Sequence, residues 1–199
     1  MKIIVIGAAG AIGEAVCAEL GPRHELIRVG RTSGDIRADM ADRASVEAMY
    51  REAGPVDAVV SAAGDAHFAR FAEHTEDTLM LGLRQKLMGQ ILLVLAGAEW
   101  VAEGGSFTLT SGILDRDPIL AGIGPAIANG ALAGFVRAAA IDMPKRQRVN
   151  VVSPGLLEVS APHYGAWFPG HETVSSARVG RAYAKCVEGA GTGQVVPVD

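Results

Sequence analysis

Short apolar runs alternate with longer segments of helical periodicity along the whole chain. The apolar runs are rich in β-branched residues and nearly continuous, which is typical of parallel strands covered on both faces. They predict strands at Ile3–Ile6, Leu26–Val29, Ile36–Ala38, Ala58–Ser61, Phe107–Thr110, Val149–Val152 and Val195–Val198. The segments between them predict helices at Ala11–Leu20, Ser45–Ala53, Thr75–Trp100, Ala126–Met143 and Val174–Glu188.

This alternation predicts an α/β fold, because a strand followed by a helix returns to the sheet as a parallel neighbour. We therefore expect a Rossmann-type doubly wound parallel sheet of about seven strands, with Ile3–Ile6 near its centre. Gly21-Pro22 and Pro144 mark the ends of the first and fourth helices. No repeat or linker is visible, so residues 1–199 are expected to form a single domain.

Composition excludes some classes of function. The chain has 199 residues, of which 49% are hydrophobic, 20% charged and 5% aromatic, and its net charge is −4. An acidic chain with few aromatic rings lacks the surfaces that bind nucleic acid. The longest apolar stretch, Ile91–Leu95, is far shorter than a membrane span, so no membrane association is expected.

Cysteine and histidine spacing gives no sign of a metal site. Cys17 and Cys186 are too few for a disulfide framework or a zinc site, and we interpret them as reduced thiols in a cytoplasmic protein. His67 and His74 lack metal-ligand spacing and are expected at the surface or at the start of a helix. No metal is therefore expected.

A glycine-rich loop directly follows the first strand and opens the first helix. In this loop Gly7 permits a tight turn, Gly10 lets a diphosphate approach the backbone, and Gly13 lets helix and strand pack closely. The helix N-terminus then offers unpaired N–H groups to phosphates. The loop predicts dinucleotide binding, and the alternative is a glycine turn with a structural role alone.

The end of the second strand bears on the choice of cofactor. A site selective for NAD places an acid there to bind the ribose 2′-hydroxyl, whereas this strand continues into Arg31 and Thr32. Since a guanidinium pairs with phosphate through a planar fork, NADP is favoured, with NAD possible. The alternative is that Arg31 points into solvent.

Taken together, the motifs resemble those of the short-chain dehydrogenase/reductase family over nearly the whole chain. The matching segments are Gly7-x-x-Gly10-x-x-Gly13, Asp39-Met40, Ser61-Ala62-Ala63-Gly64, Arg148 to Pro154-Gly155, and Thr192 to Asp199. The resemblance implies an oxidoreductase that acts on a carbonyl or alcohol. It implies cofactor binding by Gly7, Gly10, Ile12, Gly13, Arg31, Thr32, Asp39, Ala62, Ala63, Gly64, Asn129, Pro154 and Gly155.

The resemblance fails at the catalytic group of that family. No Tyr-x-x-x-Lys is present, and alignment puts Pro125 at the tyrosine position and Asn129 at the lysine position. Lys86 takes the asparagine position on the preceding helix, and Ser111 or Thr110 corresponds to the serine. We therefore predict Lys86, Ser111 and Asn129 as catalytic residues, with Lys86 and Asn129 exchanged between two helices around one pocket. The alternative is two unrelated surface residues.

Two functions follow. The favoured one is an NADP(H)-dependent oxidoreductase with a non-standard active site, and the other is an inactive NADP(H)-binding sensor. The substrate is an unknown small molecule. His163–His171 is either an aromatic lid, with His163 as a possible acid, or a loop anchored in the core by Trp167 and Phe168. The resemblance also implies a homodimer or homotetramer formed through the helices Thr75–Trp100 and Ala126–Met143.

Overall fold

Seven strands pair in parallel in the computed structural model, which describes residues 1–199. They are β1 (Lys2–Ile6), β2 (Glu25–Gly30), β3 (Ile36–Arg37), β4 (Val56–Ser61), β5 (Val101–Thr110), β6 (Arg148–Pro154) and, after two short strands, β9 (Val195–Val198). Their order is β3-β2-β1-β4-β5-β6-β9, so β1 and β4 flank the point where the strand order reverses. The predicted doubly wound sheet of seven strands is confirmed. Strands β7 (Leu156–Leu157) and β8 (Thr173–Val174) pair separately.

Helices cover both faces of the sheet. They are α1 (Ala11–Leu20), α2 (Arg43–Ala53), α3 (Glu76–Gly82), α4 (Gly89–Gly97), α5 (Ile123–Asp142), α6 (Ala161–Tyr164) and α7 (Ser176–Glu188). One face buries Tyr50, Leu93 and Phe107 under α2, α4 and α5. The other buries Leu20 and Tyr183 under α1 and α7. The near-continuous apolar strands follow from this burial on both sides.

The predicted helix Thr75–Trp100 is interrupted by a π-helical segment. Thr75 is the N-cap, and its hydroxyl accepts a hydrogen bond from Thr78 N. The chain is α-helical to Gly82, π-helical over Leu83–Met88 and α-helical again to Gly97. Such π segments are rare and are found often at functional sites. The π segment contains Lys86, and we call the whole unit the α3–α4 helix.

Helix α5 begins three residues earlier than its apolar pattern predicts. It starts at Ile123 rather than Ala126, which places Pro125 in the first turn. The N–H groups of a first turn have no partner inside the helix, so a proline is tolerated there. Helix α7 begins at Ser176 rather than Val174, because the Ser175 hydroxyl caps it.

Two helices are long and apolar enough to cross a membrane by length and composition, which the sequence prediction had excluded. They are Glu76–Gly97 and Ile123–Asp142. That prediction counted continuous apolar residues, whereas these helices mix apolar and small residues. Each packs one face on the sheet, through Leu93 in the first and Leu132 and Val136 in the second. Of their most apolar windows, 28% and 39% of the residues are buried, so each helix also keeps an exposed face.

Candidate active site

The glycine loop after β1 is held in shape by close backbone approaches. Gly7 has a positive φ of 77°, and a Cβ there would lie 2.8 Å from Ala63 Cβ. A Cβ on Gly13 would lie 2.0 Å from Gly7 O, so no side chain fits where α1 crosses the loop. Gly10 is the N-cap of α1 and supplies no side-chain cap. The first-turn N–H groups of α1 are therefore available to an anion.

A cavity of about 650 Å³ extends from this loop along the carboxyl ends of β1 and β2. Arg31 and Thr32 line it, and Arg31 is exposed with no hydrogen-bonding or ionic partner in the protein. Asp39 and Met40 line its opposite part. The Asp39 carboxylate accepts a hydrogen bond from Ala41 N at 2.9 Å, which fixes its orientation.

A second cavity, of about 500 Å³, continues from the first. Gly10, Gly64 and Asp65 line both cavities, so the two form one continuous cleft. Of the predicted cofactor residues, Ile12, Ala62, Asn129, Pro154 and Gly155 line the second cavity. The predicted catalytic residues Lys86 and Ser111 line it as well.

Lys86 enters this second cavity between the loop after β4 and the end of β5. Its stem packs on Gly64, where a Cβ would lie 2.7 Å from Lys86 Cγ. Its Nζ donates a hydrogen bond to Ser111 O at 3.1 Å. Burial lowers the pKa of Lys86 to about 8, although the carboxylates of Asp115 and Asp65 oppose that shift. Lys86 is thus a desolvated amine facing a cavity, not a solvated surface lysine.

Asn129 lies on the facing wall and is 2% exposed. Its Nδ2 donates to Gly112 O at 3.1 Å, while its Oδ1 has no hydrogen-bond partner. Lys86 and Asn129 therefore bond to the adjacent carbonyls of Ser111 and Gly112, from opposite helices. They do not contact each other directly. The Oδ1 is thus a buried acceptor that the protein itself leaves unpaired.

The end of β5 settles which hydroxyl faces the cavity. Thr110 Oγ1 lies 2.5 Å from both Ser61 O and the Tyr183 hydroxyl, so its hydrogen bonds are made within the protein. Ser111 lines the cavity, and its Oγ makes only a long contact of 3.5 Å with Val152 O. Ser111 is therefore the available hydroxyl.

Gln90, from α4, fixes this strand end. It accepts from Thr110 N at 2.8 Å and donates to Thr110 O at 2.9 Å. Lys86 and Gln90, both on the α3–α4 helix, thus form hydrogen bonds with the consecutive residues Ser111 and Thr110.

Sequence reasoning missed several residues around the cleft. Arg28 lines the first cavity together with Arg31. Arg116 donates to Ser153 Oγ at 2.5 Å and to an Asp199 carboxylate oxygen at 2.9 Å. These bonds fix the turn that precedes Gly155. Long-range pairs of this kind leave no local pattern in a sequence.

The segment after β7 covers the second cavity with aromatic rings. Tyr164 and Phe168 line that cavity, and the ring of Trp167 packs edge-on against Phe68, with centroids 6.2 Å apart. Trp167 is half exposed, so the expectation that it anchors a loop in the core is wrong. His163 is exposed and does not line the cavity.

The remaining titratable candidates form no second site. His67 and His74 contact each other edge-on, and no group of acids, histidines or cysteines has metal-binding geometry. Both cysteines are free thiols. Burial raises the pKa of Cys186 to about 11, which leaves it unreactive at neutral pH.

Comparison with known proteins identifies the family of this chain. The family model described as Enoyl-(Acyl carrier protein) reductase matches residues 6–185, which is most of the chain. The chain belongs to the short-chain dehydrogenase/reductase family. The family is one of oxidoreductases, and the match includes the glycine loop, Lys86 and Asn129. The description of the family model does not by itself assign that activity to this short-chain dehydrogenase/reductase.

Individual relatives and solved structures are similar to this chain to different extents. The crystal structure of the protein lin1944 from Listeria innocua superimposes over 100% of both chains, with a TM-score of 0.99 and 44% identity. A small-chain dehydrogenase in complex with NADPH has the same fold, with a TM-score of 0.87 and 23% identity over 100% of this chain and 96% of that one. The 3-oxoacyl-[acyl-carrier-protein] reductase of Rattus norvegicus is 24% identical over 159 residues. That match covers 78% of this chain and 65% of the rat enzyme, so this chain spans under two thirds of its length.

Proposed function

We propose that this protein is an NADP(H)-dependent oxidoreductase that interconverts a small carbonyl compound and its alcohol. The observation that carries the proposal is the position of Lys86, whose ammonium lies in a cavity continuous with the glycine loop. A cofactor extending from the loop into that cavity would bring its nicotinamide next to Lys86 and Ser111. When bound, NADPH supplies the hydride.

The residues present fit a dinucleotide. The unblocked N-terminus of α1 would bind the diphosphate, since Gly10 leaves the backbone open. Arg31, with Thr32, would bind the 2′-phosphate, because its guanidinium is exposed and has no protein partner. Asp39 would lie at the adenine. Asn129, which lines the second cavity, would lie at the nicotinamide ribose.

In this proposal Lys86 performs the role of the tyrosine that the family normally uses as proton donor. Its Nζ donates one hydrogen bond to Ser111 O, which leaves two N–H groups for a substrate oxygen. A positive charge at this point stabilises the oxygen as it gains electrons, and the ammonium can then release its proton to it. The Ser111 hydroxyl would donate a second hydrogen bond to the same oxygen.

A fluorescence titration with NADPH, followed by a panel of carbonyl compounds, tests the proposal. Lys86→Met is expected to bind NADPH nearly as well as the parent and to lose roughly 10²- to 10⁴-fold in turnover, the usual contribution of a general acid. Lys185→Met is the matched control, because Lys185 is exposed on α7. If the parent protein binds NADPH but reduces none of the carbonyl compounds, it is the inactive NADP(H)-binding sensor instead. A parent protein that binds no NADPH contradicts both functions.

A further inference from the structure

Aromatic rings are concentrated at the mouth of the Lys86 cavity. The chain exposes four aromatic side chains, and all lie in two segments, as Phe68, Phe71, Tyr164 and Trp167. Phe68 is 40% exposed, and Tyr164 and Trp167 are each 47% exposed. Phe68, Tyr164 and the half-buried Phe168 line the cavity, Trp167 packs against Phe68, and these four residues form what we call the aromatic rim. Exposed apolar surface around a cavity marks a binding site more often than it marks a fold requirement.

The residues that line the second cavity, next to the aromatic rim, include very few charged side chains. Among the residues that line the second cavity, Lys86 is the sole base and Asp65 the sole acid. The nearby Arg116 is already bonded to Ser153 and Asp199. Lys86 is therefore the one cation in the wall, and a ligand phosphate or carboxylate at the mouth would find no second arginine or lysine to pair with; burying it unpaired is costly.

We propose, resting on the function above, that the substrate is a free, uncharged aromatic aldehyde or ketone. Its ring packs against the aromatic rim, and its carbonyl oxygen points to Lys86. Rings stack favourably on such side chains, and Phe68 and Trp167 are both partly exposed. In the reaction the carbonyl carbon gains a hydride from NADPH as the C=O π bond breaks. The oxygen gains a proton, so the products are an alcohol and NADP⁺.

Turnover of a matched panel tests this inference. Benzaldehyde is expected to have a kcat/KM at least about tenfold above that of acetaldehyde, which offers no ring to the rim. Acetoacetyl-coenzyme A, a thioester that carries phosphates, is expected to be the poorest of the three. Equal values for the two aldehydes, or the highest value for the thioester, would overturn the inference.

Variants of the rim give a second test. Trp167→Ala and Phe68→Ala are each expected to lower the benzaldehyde-to-acetaldehyde ratio of kcat/KM by about threefold to tenfold. Phe71→Ala is the matched control, since Phe71 lies on the same segment, is 85% exposed and does not line the cavity. A ratio that falls as much in Phe71→Ala as in Phe68→Ala contradicts a specific rim.

A binding measurement separates failure of this inference from failure of the proposed function. The chain has two tryptophans, so Trp100→Phe leaves Trp167 as the sole indole fluorophore. Acetophenone is expected to quench its fluorescence saturably, and propanone at equal concentration is not. Saturable quenching supports the ring site even if no carbonyl compound is reduced. Absence of saturable quenching overturns the ring site even if other carbonyl compounds are turned over.

Discussion

At the scale of single residues, Lys86 sets the expected pH dependence. Burial lowers its pKa to about 8, so its ammonium is lost as pH rises through that value. Carbonyl reduction needs the protonated form, and kcat for reduction is expected to fall above about pH 8. Alcohol oxidation needs the neutral amine, and its kcat is expected to rise over the same range. The pH profiles of kcat in the two directions measure this.

The control for this prediction is Lys86→Arg. A guanidinium stays protonated up to about pH 12, so the limb near pH 8 should disappear from whatever activity remains. The carboxylates of Asp65 and Asp115 raise the pKa of Lys86, so removing either one is expected to shift the pH at which activity changes. Since each raises the pKa of Lys86, Asp115→Asn should shift the limb to lower pH. A limb that stays in place in Lys86→Arg assigns it to another group.

Arg31 is the second residue with a measurable role. We expect NADPH to bind more tightly than NADH, and Arg31→Ala to remove most of that preference. One hydrogen bond to a charged group contributes roughly 1.5–3 kcal/mol, or about 10- to 150-fold in affinity. Fluorescence titration with both cofactors measures it. Arg28→Ala shows whether Arg28, which lines the same cavity, contributes to the preference.

At the scale of secondary-structure elements, the contact between α1 and the glycine loop leaves the least room for an added side chain. A Cβ at position 13 would overlap Gly7 O, so Gly13→Ala must move the helix away from β1. We expect the free energy of unfolding to fall by about 1–3 kcal/mol, the usual cost of overpacking, and NADPH affinity to fall with it. Urea denaturation and titration measure the two effects. Gly165→Ala is the control, because no atom lies within 4 Å of a Cβ there, and it should change neither.

At the scale of the whole molecule, the apolar outer face of the two long helices is unexplained by the single chain. Leu81, Met88 and Leu95 are exposed on the α3–α4 helix, and Ile127 and Ile141 on α5. We expect this face to pack against a second copy in a homodimer or homotetramer. Light scattering at micromolar concentration should give the mass of an oligomer, and Leu95→Glu should reduce it. A monomeric parent would show that this face serves another purpose.

The sequence alone determined the order of strands and helices and the nucleotide-binding end of the fold. Both follow from local chemistry: short, nearly continuous apolar runs form buried strands, and the spacing of Gly7, Gly10 and Gly13 fits one turn geometry. Boundaries were less certain where a cap decided them, as at Ser175, or where a proline was tolerated in a first turn, as at Pro125.

Only the tertiary structure decided what surrounds Lys86. Its environment is created by Gly64, Ser111 and Asn129, which come from a loop, a strand end and another helix, and no periodicity relates such positions. The π segment that carries Lys86 is invisible in the apolar pattern, which continues unbroken across it. Burial and pKa depend on all neighbours at once, so they arise when the sheet is assembled and not from any one stretch of chain.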